Sequence, residues 1–345
     1  MNTVLEKNRA VTSKEVAAVA GVSQATVSRV FAARGNVQPH TENLVREVAS
    51  RLGYRPNAMA RAMRTSRSGT VGVVVSRLAN PLYPLMLQTL GPKMSAAGLR
   101  MVVWSADQDD ETFAVDALKE GSVDGVLMMT ATTGSSALRE AVKSNLPVVL
   151  INRVLQDVPL DQIESDNHAG GARVAQYLVR AGRSRIAMIS GPQDASTIRN
   201  REAGFRDQME SCGVELQKQF TTYVRNFSYQ AGFDAATRLL ELANPPNSIF
   251  CANDVLALGA RDAARRRGIS VPDELWLVGY DDIEMASWEA FDLTTIRQPL
   301  DEMCQLATDR LVERMGGSKA DPVTIVVRDE LIIRGSTARH SFLEI

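Results

Sequence analysis

Residues 12–32 read TSKEVAAVAGVSQATVSRVFA. Thr12 or Ser13 can cap a helix running from Lys14 to about Val19, with Val16, Ala17 and Ala20 on one side at helical spacing. Gly21 breaks it. Ser23 is a second N-cap and opens SQATVSRVFA, where Val27, Val30 and Phe31 fall at i, i+3 and i+4 and form a core stripe, so that Ala25, Ser28 and Arg29 point away from it. Two helices joined by a turn of about three to four residues that contains glycine make a helix-turn-helix.

The outer face of the second helix carries no large apolar group, and its first turn offers Gln24 and Ala25 to whatever lies in front. Such a helix can enter a major groove. Gln24 could pair with adenine N6 and N7 or read another edge, Ala25 could contact a thymine methyl, and Arg29 could reach guanine or a phosphate. The hydroxyls of Ser23, Thr26 and Ser28 suit phosphates, and Thr12 and Ser13 are counted among the candidate DNA contacts.

A third helix, Glu42 to Leu52, supplies Leu44, Val45, Val48 and Leu52 to close a three-helix core, and it stops at Gly53. Residues 54–69, YRPNAMARAMRTSRSG, are a proline start, a short Ala/Met/Arg helix too short to persist alone in water, and a Ser/Gly/Arg linker.

Charge follows the same division. The whole chain carries −1, but residues 1–68 hold eleven Lys/Arg against four Glu, so the head is +7 and the remainder −8. A basic lobe on an acidic body is the footprint of a polyanionic partner for one part of the chain. The 345 residues, 45% apolar and 23% charged, are enough for two or three globular domains. The N-terminus MNTVLEKNRAVTSKE lacks an apolar stretch, and no run approaches the roughly 18 apolar residues that span a bilayer, so a cytoplasmic protein with no membrane partner is expected. Cys212, Cys251 and Cys304 show no CxxC spacing, and His40, His168 and His340 form no cluster, so free thiols and no metal are expected.

From Thr70 the pattern turns to apolar runs separated by helical stretches. VGVVVS, RMVVWSA, VDGVLMM and LPVVLIN form one set; RIAMISG, PNSIFCAND and LWLVGYDD form another. Nearly all-apolar strands alternating with helices imply parallel sheets covered on both faces, and two sets imply two lobes. Ligands of such sheets bind beyond the carboxyl ends of the strands. There stand Asn80 and Tyr83, Asn152-Arg153, Asn253-Asp254 and Asp281-Asp282, polar enough to describe a cleft, although Asn80, Asp254 and Asp282 could equally cap the next helix and Tyr83 could be core. No GxSxG, GxxxxGK[ST], HExxH or GxGxxG occurs, and His168-Ala169-Gly170-Gly171 lacks the spacing of a phosphate cradle. Adjacent strand-end residues point different ways, which argues against Asp281-Asp282 as a catalytic pair. No enzyme, catalytic residue or cofactor is expected.

EVAAVAGVSQATVSRVF, followed at the right distance by LGYRPNAMARAMRTSRSGTVGVVV, resembles the LacI/GalR family of transcriptional regulators. The resemblance covers essentially the whole chain, through SNLPVVLINR, ESDNHAGGARVAQYLVRAGRSRIAMISGP, STIRNREAGF, IFCANDVLALGA, VPDELWLVGYDDIEMA and LTTIRQP. It implies a helix-turn-helix head (1–54), a hinge helix and linker (55–69) and a sensor (70–345) similar to periplasmic sugar-binding proteins. Its lobes would take about 70–166 plus 299–325 and 167–298 plus 326–345. In the family the hinge helix forms on operator binding, pairs with its dimer mate and wedges a side chain, usually leucine, into the minor groove. Here the matching position is Met63, with Asn57 and Arg61 near the groove. Arg201, Asn253 and Asp281 match the family's polar ligand contacts, Asn152 and Phe227 match two more, and Tyr83 is added to them. An arginine fork, a carboxylate and carboxamides around an aromatic wall suit a polyhydroxylated or purine-like ligand. A sugar or sugar derivative is favoured, although some sugar-binding relatives carry Asp where Asn152 stands.

The expected function is a sequence-specific transcriptional regulator, a repressor, whose hold on a near-palindromic operator is controlled by a small polar effector. The chain ends GSTARHSFLEI without the leucine heptads of the family's tetrameric members, so a homodimer is expected. The alternative is a small-molecule binding protein of transport or storage type with no DNA role, which would need an export signal and have no use for the basic head.

Overall fold

The computed structural model describes residues 11–32, 37–54, 67–106, 112–132 and 135–337. Its internal contacts divide it into two units, Met1–Ser68 and Gly69–Ile345.

In the first unit α1 (Ser13–Ala20), α2 (Gln24–Ala32) and α3 (Pro39–Arg51) surround a small core. Of the two candidates for the first cap, Thr12 takes the position. Its Oγ1 accepts from Glu15 N at 3.4 Å while the Glu15 carboxylate accepts from Thr12 N at 2.7 Å, a capping box. Gly21 follows at φ 65°, a left-handed turn that favours glycine. α3 begins at Pro39 rather than Glu42, because proline at the first position presets the helical φ and loses no hydrogen bond there. Val16, Val27, Val30, Val45 and Val48 are buried between the helices, each contributing about 1.5–3 kcal/mol of transfer free energy.

The second unit contains two six-stranded sheets. The first is built from β1 (Thr70–Val75), β2 (Arg100–Ser105), β3 (Gly125–Met128), β4 (Val148–Ile151), β5 (Asp161–Ser165) and β11 (Thr324–Val327), in the order β11-β5-β4-β3-β1-β2, all parallel. Alternate residues of β1 supply its two faces. Val71 and Val73 pack with Met86 and Leu90 of α4 (Leu82–Ala96) and Leu311 of α11 (Leu300–Met315). Val74 packs with Val115 of α5 (Thr112–Lys119) and Leu138 of α6 (Ser136–Lys143).

The second sheet orders β12 (Glu330–Ile332), β10 (Thr294–Arg297), β9 (Trp276–Asp281), β8 (Ser248–Cys251), β6 (Ile186–Ser190) and β7 (Thr221–Tyr223) as β12-β10-β9-β8-β6-β7. α7 (Asn167–Arg180) and α8 (Ser196–Ser211) cover one face, α9 (Tyr229–Leu240) and α10 (Asp254–Arg266) the other. β12 runs antiparallel to β10, a departure from the all-parallel expectation, because the chain reaches this edge directly from the other lobe and not through a crossover helix.

The chain passes between the sheets three times, after β5, β10 and β11. The third passage follows Val327, two residues beyond the expected end of the first lobe's second segment, because Val326 and Val327 pair with Glu164 and Ser165. α7 and α8 lie so close that a methyl group at Gly204 would meet the His168 carbonyl, and one at Gly171 the Arg201 carbonyl. Of the glycines after His168, Gly171 therefore serves the helix packing that fixes α8, while Gly170 leaves room for Tyr280 and Asp329.

Candidate functional site

All six residues expected to bind a ligand line one cavity between the two sheets: Tyr83, Asn152, Arg201, Phe227, Asn253 and Asp281. They come from the first turn of α4, the end of β4, the middle of α8, the loop before α9, the cap of α10 and the end of β9. All but Phe227 are buried, and Phe227 lies partly buried against Ala195, Ile198 and Ala252 with its ring on Gly191. The open space among them is about 20 Å³, room for about one water, so the lobes stand closed on the site.

Arg201 is its most constrained member. Nε donates to Asn167 Oδ1 at 2.8 Å, Nη1 to the Ala252 carbonyl at 2.7 Å, and Nη2 faces Asp281 Oδ1 at 3.1 Å. The guanidinium carbon lies 3.6 Å from the centre of the Tyr280 ring. Tyr280 in turn donates to Asp329 Oδ2 at 2.5 Å, just past the third passage between the lobes. Asp281 Oδ1 also accepts from Gln298 Nε2 at 2.7 Å. Burial pushes the Asp281 carboxyl above its ordinary range, and Arg201 and Gln298 pull it back. Asp281 has φ 117° and Asn152 φ 75°, so both strand ends hold conformations that aspartate and asparagine tolerate better than most residues.

Asn253 caps α10, its Oδ1 accepting from Leu256 N at 3.0 Å. Asp254, considered for that role, is fully buried and instead accepts from Ile283 N at 2.9 Å and Thr295 Oγ1 at 2.5 Å, bracing the loop after β9. Asn80 does act at a helix start, accepting from Leu82 N at 3.2 Å, and it also lines the cavity. Asp282 turns away to Arg297 Nε at 2.6 Å and Arg334 Nη1 at 2.7 Å, so the two adjacent carboxylates do not converge. Asn152 donates to the Met129 carbonyl at 3.4 Å while its buried Oδ1 has no hydrogen-bond partner. Thr197 and Ile198 were missed, although they precede Arg201 by one helical turn and share its face.

On the head, Gln24, Ala25 and Arg29 are exposed along one side of α2, with Ser28 half-buried beside them. Ser23 Oγ accepts from Thr26 N at 3.1 Å and lies 2.9 Å from Thr26 Oγ1, so these two hydroxyls hold the start of the helix. Gln24 Nε2 donates to Ser13 Oγ at 3.0 Å, tying the first turns of α1 and α2 together. Asn57, Arg61 and Met63 lie outside the described residues.

Residues 12–57 match the model of bacterial regulatory proteins of the lacI family, and residues 175–337 match that of the periplasmic binding protein-like domain. The HTH-type transcriptional regulator DegA of Bacillus subtilis is 34% identical over 329 residues, 94% of this chain and 97% of that protein. The structure of the Lac repressor dimer bound to operator and the anti-inducer ONPF superposes with a TM-score of 0.84 at 27% identity, covering 95% of this chain and 99% of the other. The complex of the transcriptional regulator CelR with cellobiose gives 0.71 at 30% identity, covering 94% and 99%. No helix among the described residues is long and apolar enough to cross a membrane.

Proposed function

The chain belongs to the LacI family of bacterial regulatory proteins, and on that premise we propose how it works: as a cytoplasmic homodimeric repressor whose grip on a near-palindromic operator is set by a sugar or sugar derivative bound between its lobes. The convergence of six side chains, scattered from position 83 to 281, on one closed polar cavity carries the reading. The neighbours support it, one being described as a dimer on operator and another as a complex with cellobiose.

In this reading α2 lies in the major groove. Gln24 and Ala25 meet base edges and Arg29 a guanine or a phosphate, while the hydroxyls of Thr12, Ser13, Ser23, Thr26 and Ser28 stand near phosphates. Asn57, Arg61 and Met63 act at the operator centre, where methionine unstacks a base step as the family's leucine does. In the cleft, Asp281, Asn152 and Asn253 pair with ligand hydroxyls, Arg201 donates to ligand oxygens, and Phe227 and Tyr83 wall the ring. A ring enters only when the lobes part, so the free energy of binding is coupled to their angle, and through it to the marginal hinge.

The test has two arms. Operator sites selected from the genome are titrated by fluorescence anisotropy at rising salt, where affinity should fall steeply, as for about six or more phosphate contacts per dimer. A thermal-shift screen of sugars, sugar acids, nucleobases and nucleosides then seeks the effector, which should lower operator affinity. Salt-independent DNA binding defeats the first part; a nucleobase as the sole hit defeats the sugar assignment.

A further inference from the structure

We propose a second small-molecule site, for a ligand bearing a protonated amine, at the seam between the two lobes and distinct from the cleft. A cavity of about 970 Å³ opens there and shares no lining residue with the cleft. The first lobe contributes the loop 154–159, Gln162 and Glu164 of β5, and Thr324 of β11; the second contributes Ser196, Arg199 and Asn200 from the start of α8.

Its walls are braced. Gln162 Oε1 accepts from Leu155 N at 2.7 Å and its Nε2 donates to the Leu155 carbonyl at 3.0 Å, which fixes the loop to β5. Ser196 Oγ accepts from Val154 N at 3.0 Å and so links the lobes at the cavity wall.

Glu164 identifies the ligand chemistry. It is 8% exposed, and its Oε2 has no hydrogen-bond partner. A buried carboxylate oxygen without a donor is costly, and an occupant of the cavity that brings a hydrogen to Oε2 removes that cost. Around it, burial and the neighbouring Asp166 carboxylate both oppose a negative charge, while hydrogen bonds from the Asn167 and Asn200 side chains to the carboxyl group favour it and leave Oε2 alone unpaired. Asp157, on the opposite loop, adds a second carboxylate. Arg199 also lines the cavity, but it is exposed and its Nη1 is held by the Gln193 carbonyl at 2.7 Å. An ammonium group supplies both the positive charge and the hydrogen that Oε2 lacks. Among the described residues no cluster of three or more carboxylate, histidine or cysteine ligands forms, so a metal ion fits less well.

Calorimetric titration of the full chain tests this, with putrescine and ethanolamine against butane-1,4-diol and ethylene glycol as neutral matches. An amine should bind and its diol should not. Glu164→Gln, which keeps the shape of the side chain, should weaken the amine by about 10-fold or more, as loss of a charged hydrogen bond does. Arg199→Glu, at an exposed position, should tighten it several-fold, and Asp281→Asn should leave it unchanged. Amine binding that survives Glu164→Gln overturns the proposal, as does equal binding of amine and diol or binding of neither. Loss in Asp281→Asn with retention in Glu164→Gln would assign the amine to the cleft and equally overturn it. Inorganic phosphate that binds more tightly to Glu164→Gln would show an anion site instead.

Discussion

Replacing Asp281 by asparagine separates the charge of the cleft from its shape. At φ 117° an alanine would add backbone strain, whereas asparagine tolerates left-handed conformations about as well as aspartate and keeps an acceptor for Gln298 and Arg201. What disappears is the negative charge facing a buried guanidinium. Removing one partner of a buried pair costs about 3–5 kcal/mol when nothing replaces it. Here Arg201 retains Asn167 and Ala252 as acceptors, and burial already opposes the Asp281 charge. The stability loss should therefore be about 1–2 kcal/mol, the difference between a charged and a neutral hydrogen bond. A ligand hydroxyl that donates to this group loses a similar amount, about 10-fold in affinity.

Urea denaturation measures the first quantity, and operator anisotropy titrated with the effector from the screen measures the second. The effector-free variant should bind operator within about twofold of wild type while its response midpoint moves about 10-fold, since the substitution lies in the sensor and not in the head. An unchanged midpoint would refute the assignment of Asp281. A loss of operator affinity without effector, as large as the change in response, would refute the separation of sensing from reading.

Gly204→Ala should push α8 away from the His168 carbonyl, costing about 1–3 kcal/mol as overpacking does, and should weaken the effector because Arg201 moves with the helix; effector titration and urea midpoints check both. Arg29→Ala should reduce the slope of operator affinity against salt by about one per subunit if it meets a phosphate, or relax preference at one base pair if it meets guanine; no change in either would remove it from the interface. Glu164 should give a pH signature. Its carboxyl is raised to about 7 from 4.5, chiefly by burial and then by Asp166, with Asn167 and Asn200 opposing. The stability it contributes is complete below about pH 4.5 and lost as pH rises through 7, so Glu164→Gln should match wild type near pH 5 and exceed it by about 1–2 kcal/mol at pH 8, allowing for solvent in the cavity. Parallel urea midpoints across this range would count against it.

Much of this molecule is legible in its residues because its core elements obey simple periods. The i, i+3 pair Val27 and Val30 fixes which side of α2 is buried, and the apolar runs of β1, β3, β4, β6, β8 and β9 announce strands covered on both faces. The cleft followed from the strands, since Asn152, Asn253 and Asp281 stand at their carboxyl ends. β5 reads DQIES and is buried throughout, but Asp161 is compensated by Arg310 at 2.8 Å and Arg314 at 2.6 Å, about 150 residues away, and no local pattern carries that information. β7, β10 and β12 read TTY, TTIR and ELI, without the continuous apolar run that marks the equally short β3 and β4, and β11 lies at a sheet edge set only by its pairing with β5. Asn253 and Asp254 are both good caps by chemistry; Thr295 and the Ile283 amide, distant in sequence, decide between them.

The cleft is unequal in its two halves, and this bears on how a ligand could move the lobes. The second lobe holds Arg201 by Asn167, Ala252, Asp281 and Tyr280, and uses Asn253 Oδ1 to cap a helix, so its polar groups are placed before a ligand arrives. The first lobe offers Asn152, whose buried Oδ1 lacks a donor, and Tyr83 packed among Met86 and Leu90. An orphaned buried acceptor costs about 1–3 kcal/mol. A ligand hydroxyl that satisfies Asn152 while its other face rests on the fixed array of the second lobe would recover that cost only at one lobe angle. On the proposed function, differential binding then resides mainly in the first-lobe contact. Asn152→Gly, which removes the orphan and accepts φ 75° without strain, should therefore leave the closed, effector-free chain about as stable in urea while weakening the effector. If both quantities fell together, Asn152 would be a structural residue and the coupling would have to run through the second lobe.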